Sequence, residues 1–251
     1  MGTKRRRLRE LAAREQLFIN TALAHIQTDG LLALKMAKVA RDCDYATGTL
    51  YQHFASKEDL LLAIFASENE KNLEIMRRAT EWEAPSRKKI LALIVGDILF
   101  SANHPDHQSL GRYIFTDAVW EAASLERRQQ VLDAYMPHHE AATSITQDAI
   151  NAGDLDPHGQ SPAELTLGFW AMCMGMHTLV EADEVLTSLK LVRPYRWLLR
   201  NIHLYLNGLN WQPLLDPFDE QKLNQDVEHI VETLYQDLCF SPLSTEEPPH
   251  E

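Results

Sequence analysis

The sequence predicts an all-α protein, with a small N-terminal three-helix domain that contains a helix-turn-helix and a larger C-terminal helical domain. Its 251 residues are 45% hydrophobic and include only 10 glycines and 11 prolines, a composition that favours long helices over turn-rich sheets. Charge is also divided unevenly, because residues 1–57 carry a net charge of +5 and the remaining residues a net charge of −17. We therefore place the first domain at residues 1–57 and the second at 58–241, and expect 242–251 to form a disordered tail.

The first helix is expected to run from Leu11 to Thr28, with an apolar stripe that builds the core of the small domain. Gly30 follows it, as a glycine often follows the last turn of a helix. Residues 1–9, MGTKRRRLR, form a basic arm before this helix. Two interpretations of the arm stay open: a frayed, solvated tail, or a segment that reaches DNA phosphates or a minor groove.

A helix-turn-helix is predicted between residues 35 and 61. Met36, Val39 and Ala40 lie on one face of a first short helix, and Asp44 follows where the reversal needs a residue that tolerates positive φ. A second short helix, 46–54, turns Leu50 and Phe54 inward and leaves an outer face that is small and rich in hydroxyl groups. Such a face can enter the major groove of DNA. Ser56 then caps the next helix.

The string Gly48-Thr49-Leu50-Tyr51, followed by His53-Phe54, Ser56-Lys57-Glu58 and Leu60-Leu61, resembles the DNA-binding domain of the TetR family of transcriptional regulators. The resemblance extends from about Ala12 to Leu62. Leu34, Asp44 and Ala46 depart from it, since the family usually has a Thr cap, a turn Gly and a Ser cap at these positions. Each lost cap costs roughly 1 kcal/mol, which affects fine geometry more than the fold.

This resemblance and the outer face of the second helix together predict the DNA-contacting residues. Lys57 and Tyr51 are expected to position phosphates, and Thr47, Thr49 and Gln52 to reach base edges. The full predicted set is Lys35, Tyr45, Ala46, Thr47, Gly48, Thr49, Tyr51, Gln52, His53 and Lys57. The local positive charge agrees with this function, because neutralisation of phosphates depends on nearby charge rather than on the total.

Five further helical segments are expected outside residues 162–209. One runs without a break from Ser56 to about Thr80 and joins the two domains. The others are 86–105, 105–120, 124–152, which Pro137 must kink or divide, and 220–239. The acidic and polar insertion 181–194 is expected to loop out.

Residues 162–182 are apolar around the whole circumference of the predicted helix, which requires two packing partners. One predicted face carries Leu165, Phe169, Met172, Met176 and Leu179, and the other carries Leu167, Trp170, Met174 and His177. In the family that this chain resembles, the corresponding helix packs on its own domain and on a second subunit. We therefore expect a homodimer through residues 162–182 and 195–209, and monomers when Trp197 or Leu206 is changed to Glu.

The same resemblance implies a small-molecule effector bound among the helices that follow the helix-turn-helix. Large side chains with few polar groups are the candidates for its pocket: Phe100, Tyr113, Phe115, Trp120, Tyr135, Trp170, Met174 and His177. The alternative for each of them is a core position, and His177 in particular could be a satisfied interior histidine. These residue types favour a mostly apolar or aromatic ligand with one or two hydrogen-bonding groups.

The sequence contains no pattern that predicts catalysis. It lacks a glycine-rich phosphate loop, a Gly-x-Ser-x-Gly elbow, a CxxC pair and an HExxH motif, so we predict neither an enzyme nor a cofactor. His104 with His107, and His138 with His139, could bind a metal, but solvated histidines at helix ends explain them equally well, so no metal site is predicted. No targeting signal or apolar run of about 18 residues occurs, which indicates a cytoplasmic protein without a membrane segment.

The sequence therefore predicts a DNA-binding transcriptional regulator, a homodimeric repressor that a small molecule releases from a near-palindromic operator in double-stranded DNA. A second interpretation is a helical ligand-binding or interaction protein that no longer recognises DNA. Salt-dependent binding to the DNA upstream of its own gene would distinguish the two.

Overall fold

A computed structural model describes residues 2–238 and residue 243, and within this part of the chain every regular element is helical. The all-α fold class is therefore confirmed. The helices are α1 Gly2–Asp29, α2 Met36–Asp42, α3 Thr47–Tyr51, α4 Lys57–Glu81, α5 Ser86–Asn103, α6 Pro105–Ile114, α7 Asp117–Ala122, α8 Leu125–Ala152, α9 Pro162–Glu181, α10 Asp183–Ser188, α11 Pro194–Gly208 and α12 Glu220–Leu234, with a 3₁₀ turn at Leu31–Ala33. Cys239 and the predicted disordered tail lie outside the described residues, apart from Leu243, which is buried in a hydrophobic core and so is not part of a disordered segment.

The described helices form two compact units that do not follow a single cut in the chain. The first unit runs up to Glu70 and resumes from Pro105 to Tyr135, whereas the second contains Lys71–His104 and the residues from Met136 onward. Leu110, Ile114 and Val131 belong to the same buried core as the helix-turn-helix. The functional boundary after residue 57 stays a prediction, but the first compact unit is larger than the domain of residues 1–57.

The helix-turn-helix has the expected local structure. Asp44 adopts a φ of 61°, which closes the turn between α2 and α3. Ser56 caps α4, because its Oγ accepts a hydrogen bond from the Asp59 N–H at 3.0 Å. The buried Asp59 carboxylate accepts from the N–H groups of Ala55 at 3.1 Å and of Ser124 at 2.7 Å. One carboxylate thus ties the start of α4 to the residue that precedes α8.

Several expected helix boundaries are wrong. Helix α3 ends at Tyr51 and not at residue 54, and α12 ends at Leu234 and does not continue to residue 239. Residues 105–120 form two helices, since the Thr116 hydroxyl donates to the Tyr113 carbonyl at 2.7 Å and the backbone of Thr116 is extended. Helix α8 continues through Pro137, so the division of this segment is wrong, while a kink at Pro137 stays a prediction; the long helix tolerates the loss of one N–H donor. The insertion 181–194 contains the short helix α10, whose first turn carries acidic residues that favour a helix start.

The second unit is built around close packing between α9 and α11. A Cβ atom added at Gly168 would lie 2.4 Å from the ring of Tyr205, so only glycine fits at this crossing. The Tyr205 hydroxyl donates to the Leu165 carbonyl at 3.0 Å. The two helices that were predicted to form one interface are therefore in direct contact within the chain.

Helix α9 has one buried face, which differs from the predicted assignment of its side chains. Leu165, Phe169, Cys173 and His177 are buried, whereas Leu179 is 42% exposed. His177 and Leu179 were therefore assigned to the wrong faces. Apart from Thr166, the buried residues recur at a spacing of four, so the buried stripe drifts around the helix and reaches His177 instead of Leu179.

Arg87 is a buried cation in the second unit. Its guanidinium donates to the carbonyls of Trp211 at 2.6 Å and His203 at 3.2 Å, and to the Asn207 side chain at 2.8 Å. Burial lowers the pKa of Arg87 to about 10, so it stays charged at neutral pH. Burial, and then the charge of Arg87, lower the pKa of His203 to about 4, which keeps this imidazole neutral.

We expect His203 to make the protein less stable in mild acid. The pKa of His203 falls from 6.5 to about 4 on folding. Between pH 6.5 and pH 4, His203 is therefore protonated in the unfolded chain but neutral in the folded chain. The free energy of unfolding should therefore decrease as pH falls from 6.5 toward 4, with a contribution from His203 of roughly 2 kcal/mol at pH 4.5.

Urea titrations at pH 7.5 and 4.5 measure this effect in wild type and in His203→Gln, whose amide does not titrate. The variant should be less stable at neutral pH, because the packing and the contact with Arg87 change, but it should lose less stability on acidification than wild type. Equal losses in the two proteins would show that His203 does not have a lowered pKa.

Candidate nucleic-acid interface

Helix α3 is held by its inward residues and exposes the rest. Leu50 and Phe54 are completely buried in the core of the first unit, as predicted. Tyr51 is 49% exposed, Lys35, Ala46, Gly48 and Gln52 are also exposed, and Thr47, Thr49 and Lys57 are partly exposed. The short, fixed helix α3 therefore offers hydroxyl groups, and the segments that flank it add the amide of Gln52 and the ammonium groups of Lys35 and Lys57.

Gly48 lies in the middle of α3 although nothing in the chain requires a glycine there. A Cβ atom at this position would have no neighbour within 4 Å. Glycine inside a helix costs roughly 0.5 to 1 kcal/mol relative to alanine. The absence of a side chain leaves the α3 backbone open to close approach by a binding partner.

Tyr45, in the turn before α3, is fixed from the side of α1. Its ring packs edge-on against Phe18 with the centroids 5.4 Å apart, and the Arg14 guanidinium lies 5.0 Å from the ring centre. Tyr45 is still 37% exposed. The position of the Tyr45 ring beside α3 is thus set by the core, and one edge of the ring stays accessible. Because α3 is the helix predicted to contact base edges, it is called the reading helix below.

His53 was predicted to contact DNA, but the structure places its imidazole in the interior. Only 6% of the side chain is exposed, Nδ1 lies 3.4 Å from a carboxylate oxygen of Glu15, and the ring packs against Phe18. His53 lies two residues beyond the end of α3, where the chain turns inward toward Phe54. The burial of its imidazole favours a role in orienting the end of α3, and a contact of His53 with DNA stays a prediction.

Arg127, in α8, is a residue of this site that the sequence did not reveal. Its guanidinium donates to Glu15 at 2.8 Å and to the His53 carbonyl at 3.1 Å, and lies 4.9 Å from the centre of the Phe54 ring. It thereby joins α8 to α1 and to the C-terminal side of α3. No local pattern marks it, because its partners lie more than 70 positions away in the chain.

Three of the candidates for an effector pocket cluster in the first unit. The Phe115 ring stacks on Trp120 with the centroids 5.7 Å apart and meets Tyr135 edge-on at 6.0 Å. Phe115 is 44% exposed, and Tyr113 packs partly buried against the same core. This aromatic cluster joins α6, α7 and α8.

The other four pocket candidates belong to the second unit. Phe100 is buried in its core, Trp170 is 47% exposed on α9, and Met174 is partly exposed. His177 is buried and bonded at both nitrogens, with Nε2 at 2.8 Å from the Asp97 carboxylate and Nδ1 at 3.0 Å from the Tyr195 hydroxyl. A single pocket formed by all eight residues stays a prediction.

Among residues 2–238 and 243, no group of three or more His, Cys, Asp or Glu side chains is arranged to hold a metal ion. Within the same part of the chain, no helix combines the length and apolar character needed to cross a membrane.

Residues 18–64 match the model of the family described as bacterial regulatory proteins, tetR family. A relative, the fatty acid metabolism regulator protein of Bacillus subtilis (strain 168), is 26% identical over 137 residues, which are 55% of this chain and 68% of the relative.

Similar folds occur in solved structures. A protein of unknown function from Rhodococcus sp. RHA1 has a TM-score of 0.60 and 20% identity, with 78% of this chain and 95% of that one covered. The regulator FadR from Bacillus subtilis, solved in complex with stearoyl-CoA, has a TM-score of 0.54 and 19% identity, with 80% and 99% covered. A regulatory protein in the tetR family from Rhodococcus RHA1 has a TM-score of 0.55 and 17% identity, with 78% and 96% covered.

Proposed function

Because this chain belongs to the TetR family of transcriptional regulators, we propose that it binds DNA sequence-specifically through α3 and represses transcription until a small molecule releases it. The exposed α3 surface in a basic segment is the observation that carries this function. An interaction protein without DNA recognition is not favoured, since such a protein would not need a solvent-exposed outer face on α3. The relatives are regulators and not enzymes, in agreement with the absence of catalytic motifs.

The exposed residues of α3 and its flanks have separable roles in the proposed complex. Lys57, which is partly exposed in the first turn of α4, and the exposed Tyr51 are proposed to contact phosphates, which would set position and affinity. Thr47, Thr49 and Gln52 carry the donors and acceptors that read base edges. Gly48 allows the α3 backbone to approach the DNA closely.

We expect two variants to separate affinity from sequence preference. Lys57→Ala should weaken binding to all sequences similarly and reduce the salt slope by about 0.9 per lost phosphate contact.

Gly48→Ala should raise the free energy of unfolding by up to about 1 kcal/mol, since helix propensity improves and no protein atom obstructs the methyl group. The same methyl group should weaken binding to the cognate site. Gel shifts on the DNA upstream of its own gene, at several salt concentrations, measure the binding.

Gly208→Ala is the matched control, because Gly208 ends α11 and a Cβ atom there also meets nothing within 4 Å. Because α11 is also part of the proposed dimer interface, sedimentation velocity first checks that this variant is still a dimer, and the dimer should bind the operator as wild type does. A wild-type protein without sequence preference at moderate salt would refute the regulator function.

We propose that the protein forms a homodimer through the outer faces of α9 and α11. Five large apolar side chains on these two neighbouring helices are at least 42% exposed in the single chain: Leu167, Trp170, Leu179, Trp197 and Leu204. Such a patch on packed helices is typical of a subunit interface. A two-fold dimer would place two reading helices about 34 to 36 Å apart and would require a near-palindromic operator.

Trp197→Glu should produce folded monomers, because Trp197 is 46% exposed and a buried, unpaired carboxylate at the interface would be costly. Leu206 is completely buried, so the expectation that Leu206→Glu gives monomers is wrong, and this change should unfold the second unit instead. Sedimentation velocity and circular dichroism distinguish the two outcomes.

Phe218→Glu serves as the control for the dimer. Phe218 is 65% exposed and packs on the same Arg200 side chain as Trp197, but it lies outside α9 and α11. This variant should remain a dimer. A stable wild-type monomer at micromolar concentration would contradict the proposed interface.

The proposed effector is a fatty acyl thioester of coenzyme A. The support is the curated relative, which is a fatty acid metabolism regulator, and the structural neighbour that was solved with stearoyl-CoA. The mostly apolar pocket candidates agree with an acyl chain, which needs apolar contacts and few hydrogen bonds. Release of DNA requires that the ligand binds the free form more tightly, and a 100-fold release requires about 2.7 kcal/mol of coupling.

Stearoyl-CoA should stabilise the free protein to heat, by about 2.7 kcal/mol at 100 times its Kd, and should weaken operator binding. Coenzyme A and stearate, tested separately, identify which part of the ligand is recognised. Thermal unfolding and gel shifts on the same samples measure both effects. Tight binding of stearoyl-CoA with unchanged operator affinity would show that it is not an inducer.

A further inference from the structure

The N-terminal basic segment is helical and projects from the packed part of α1. Helix α1 begins at Gly2, so the residues expected to form an arm continue the first helix. Residues 4–13 are all exposed, and they include Lys4, Arg5, Arg6, Arg7 and Arg9. Five cations on the six helical residues 4–9 make the densest positive charge in the chain, and the described contacts with the core do not account for it.

This segment extends from the part of α1 that lies beside the reading helix. Leu11 and Glu15 line an open groove of about 450 Å³ together with Tyr51 and Gln52, two of the predicted DNA contacts. A rise of about 1.5 Å per residue places residue 4 roughly 10 Å along the axis beyond Leu11. The basic residues therefore lie within two helical turns of Leu11, which lines the groove beside the α3 surface.

Helical geometry divides the cations between two faces. At about 100° per residue, Lys4 projects within about 20° of Glu15, and Arg5 and Arg7 flank that direction at about 80° on either side. Arg6 projects to the opposite face, where its Nε donates to the Glu10 carboxylate at 2.8 Å. Three cations thus border the side of α1 that faces the groove, Arg9 projects about 120° away from Glu15, and Arg6 is paired on the far side.

We propose that Lys4, Arg5 and Arg7 form a second DNA-contacting surface, which binds backbone phosphates next to the site occupied by α3. The inference rests on the proposed function. Duplex DNA carries one negative charge per roughly 1.7 Å of its axis, so three long cationic side chains along about 4.5 Å of helix axis can each meet a phosphate. Phosphate contacts carry no sequence information, so this surface should add affinity and fix the docking angle of α1 without changing the preferred sequence.

The test compares neighbouring substitutions that remove the same charge. Arg7→Gln and Arg6→Gln each remove one cation, and the triple variant K4Q/R5Q/R7Q removes the proposed surface. We expect the slope of log K against log salt to fall by about 0.9 per protomer for Arg7→Gln, by two to three for the triple variant, and not at all for Arg6→Gln. Fluorescence anisotropy with the operator and with a scrambled duplex, from 50 to 300 mM salt, measures all four proteins.

The preference for the operator over the scrambled duplex should be the same in every variant. Circular dichroism and the unfolding midpoint should also be unchanged, because these side chains are exposed. A triple variant with the wild-type slope, or equal losses in Arg6→Gln and Arg7→Gln, would overturn the proposal and leave the regulator function intact. Failure of wild type to prefer any operator would instead refute the function itself.

Discussion

A five-residue recognition helix cannot hold its own shape, and the first compact unit depends on how α3 is fixed from the inside. An isolated helix of this length is unstable in water, because the conformational entropy lost in nucleation exceeds the stabilisation from one turn of hydrogen bonds. Leu50 and Phe54 anchor it by burial, and Arg127 binds the carbonyl of His53 just beyond its end. The outer face then needs no stabilising residues, which leaves room for Gly48 and for hydroxyl groups that serve a ligand.

The same constraint explains why the start of α8, up to Tyr135, belongs to the unit that carries α3. Arg127 joins the first turn of α8 to Glu15, and the Asp59 carboxylate accepts the N–H of Ser124 while it caps the start of α4. Both contacts are sheltered and involve a charged partner, so breaking either would leave a poorly solvated group. These contacts couple the positions of α8 and α4 to that of α3. The aromatic cluster around Phe115, which follows α6, contacts Phe65 of α4, Trp120 of α7 and Tyr135 of α8.

Charge separation along the chain supports the function without a specific contact. The net charge of +5 in residues 1–57 attracts a polyanion locally, and the net charge of −17 in the remainder opposes nonspecific adhesion of the body. The exposed cations at the start of α1 lie at one end of the positive region, and Lys57 lies beyond α3 at the other. DNA held at both places would be fixed in angle as well as in position.

The sequence by itself determined the helical class, the helix-turn-helix with its turn at Asp44 and cap at Ser56, and the long α4, because these depend on local periodicity and on short-range hydrogen bonds. Only the tertiary structure decided that His53 is interior, that Leu206 is core while Trp197 is exposed, and that Arg127 and Asp59 connect α8 to the reading helix. A helical pattern gives the direction of a side chain around its axis but does not say which neighbour covers it. Contacts between residues more than 60 positions apart leave no local signal, and they come from packing alone.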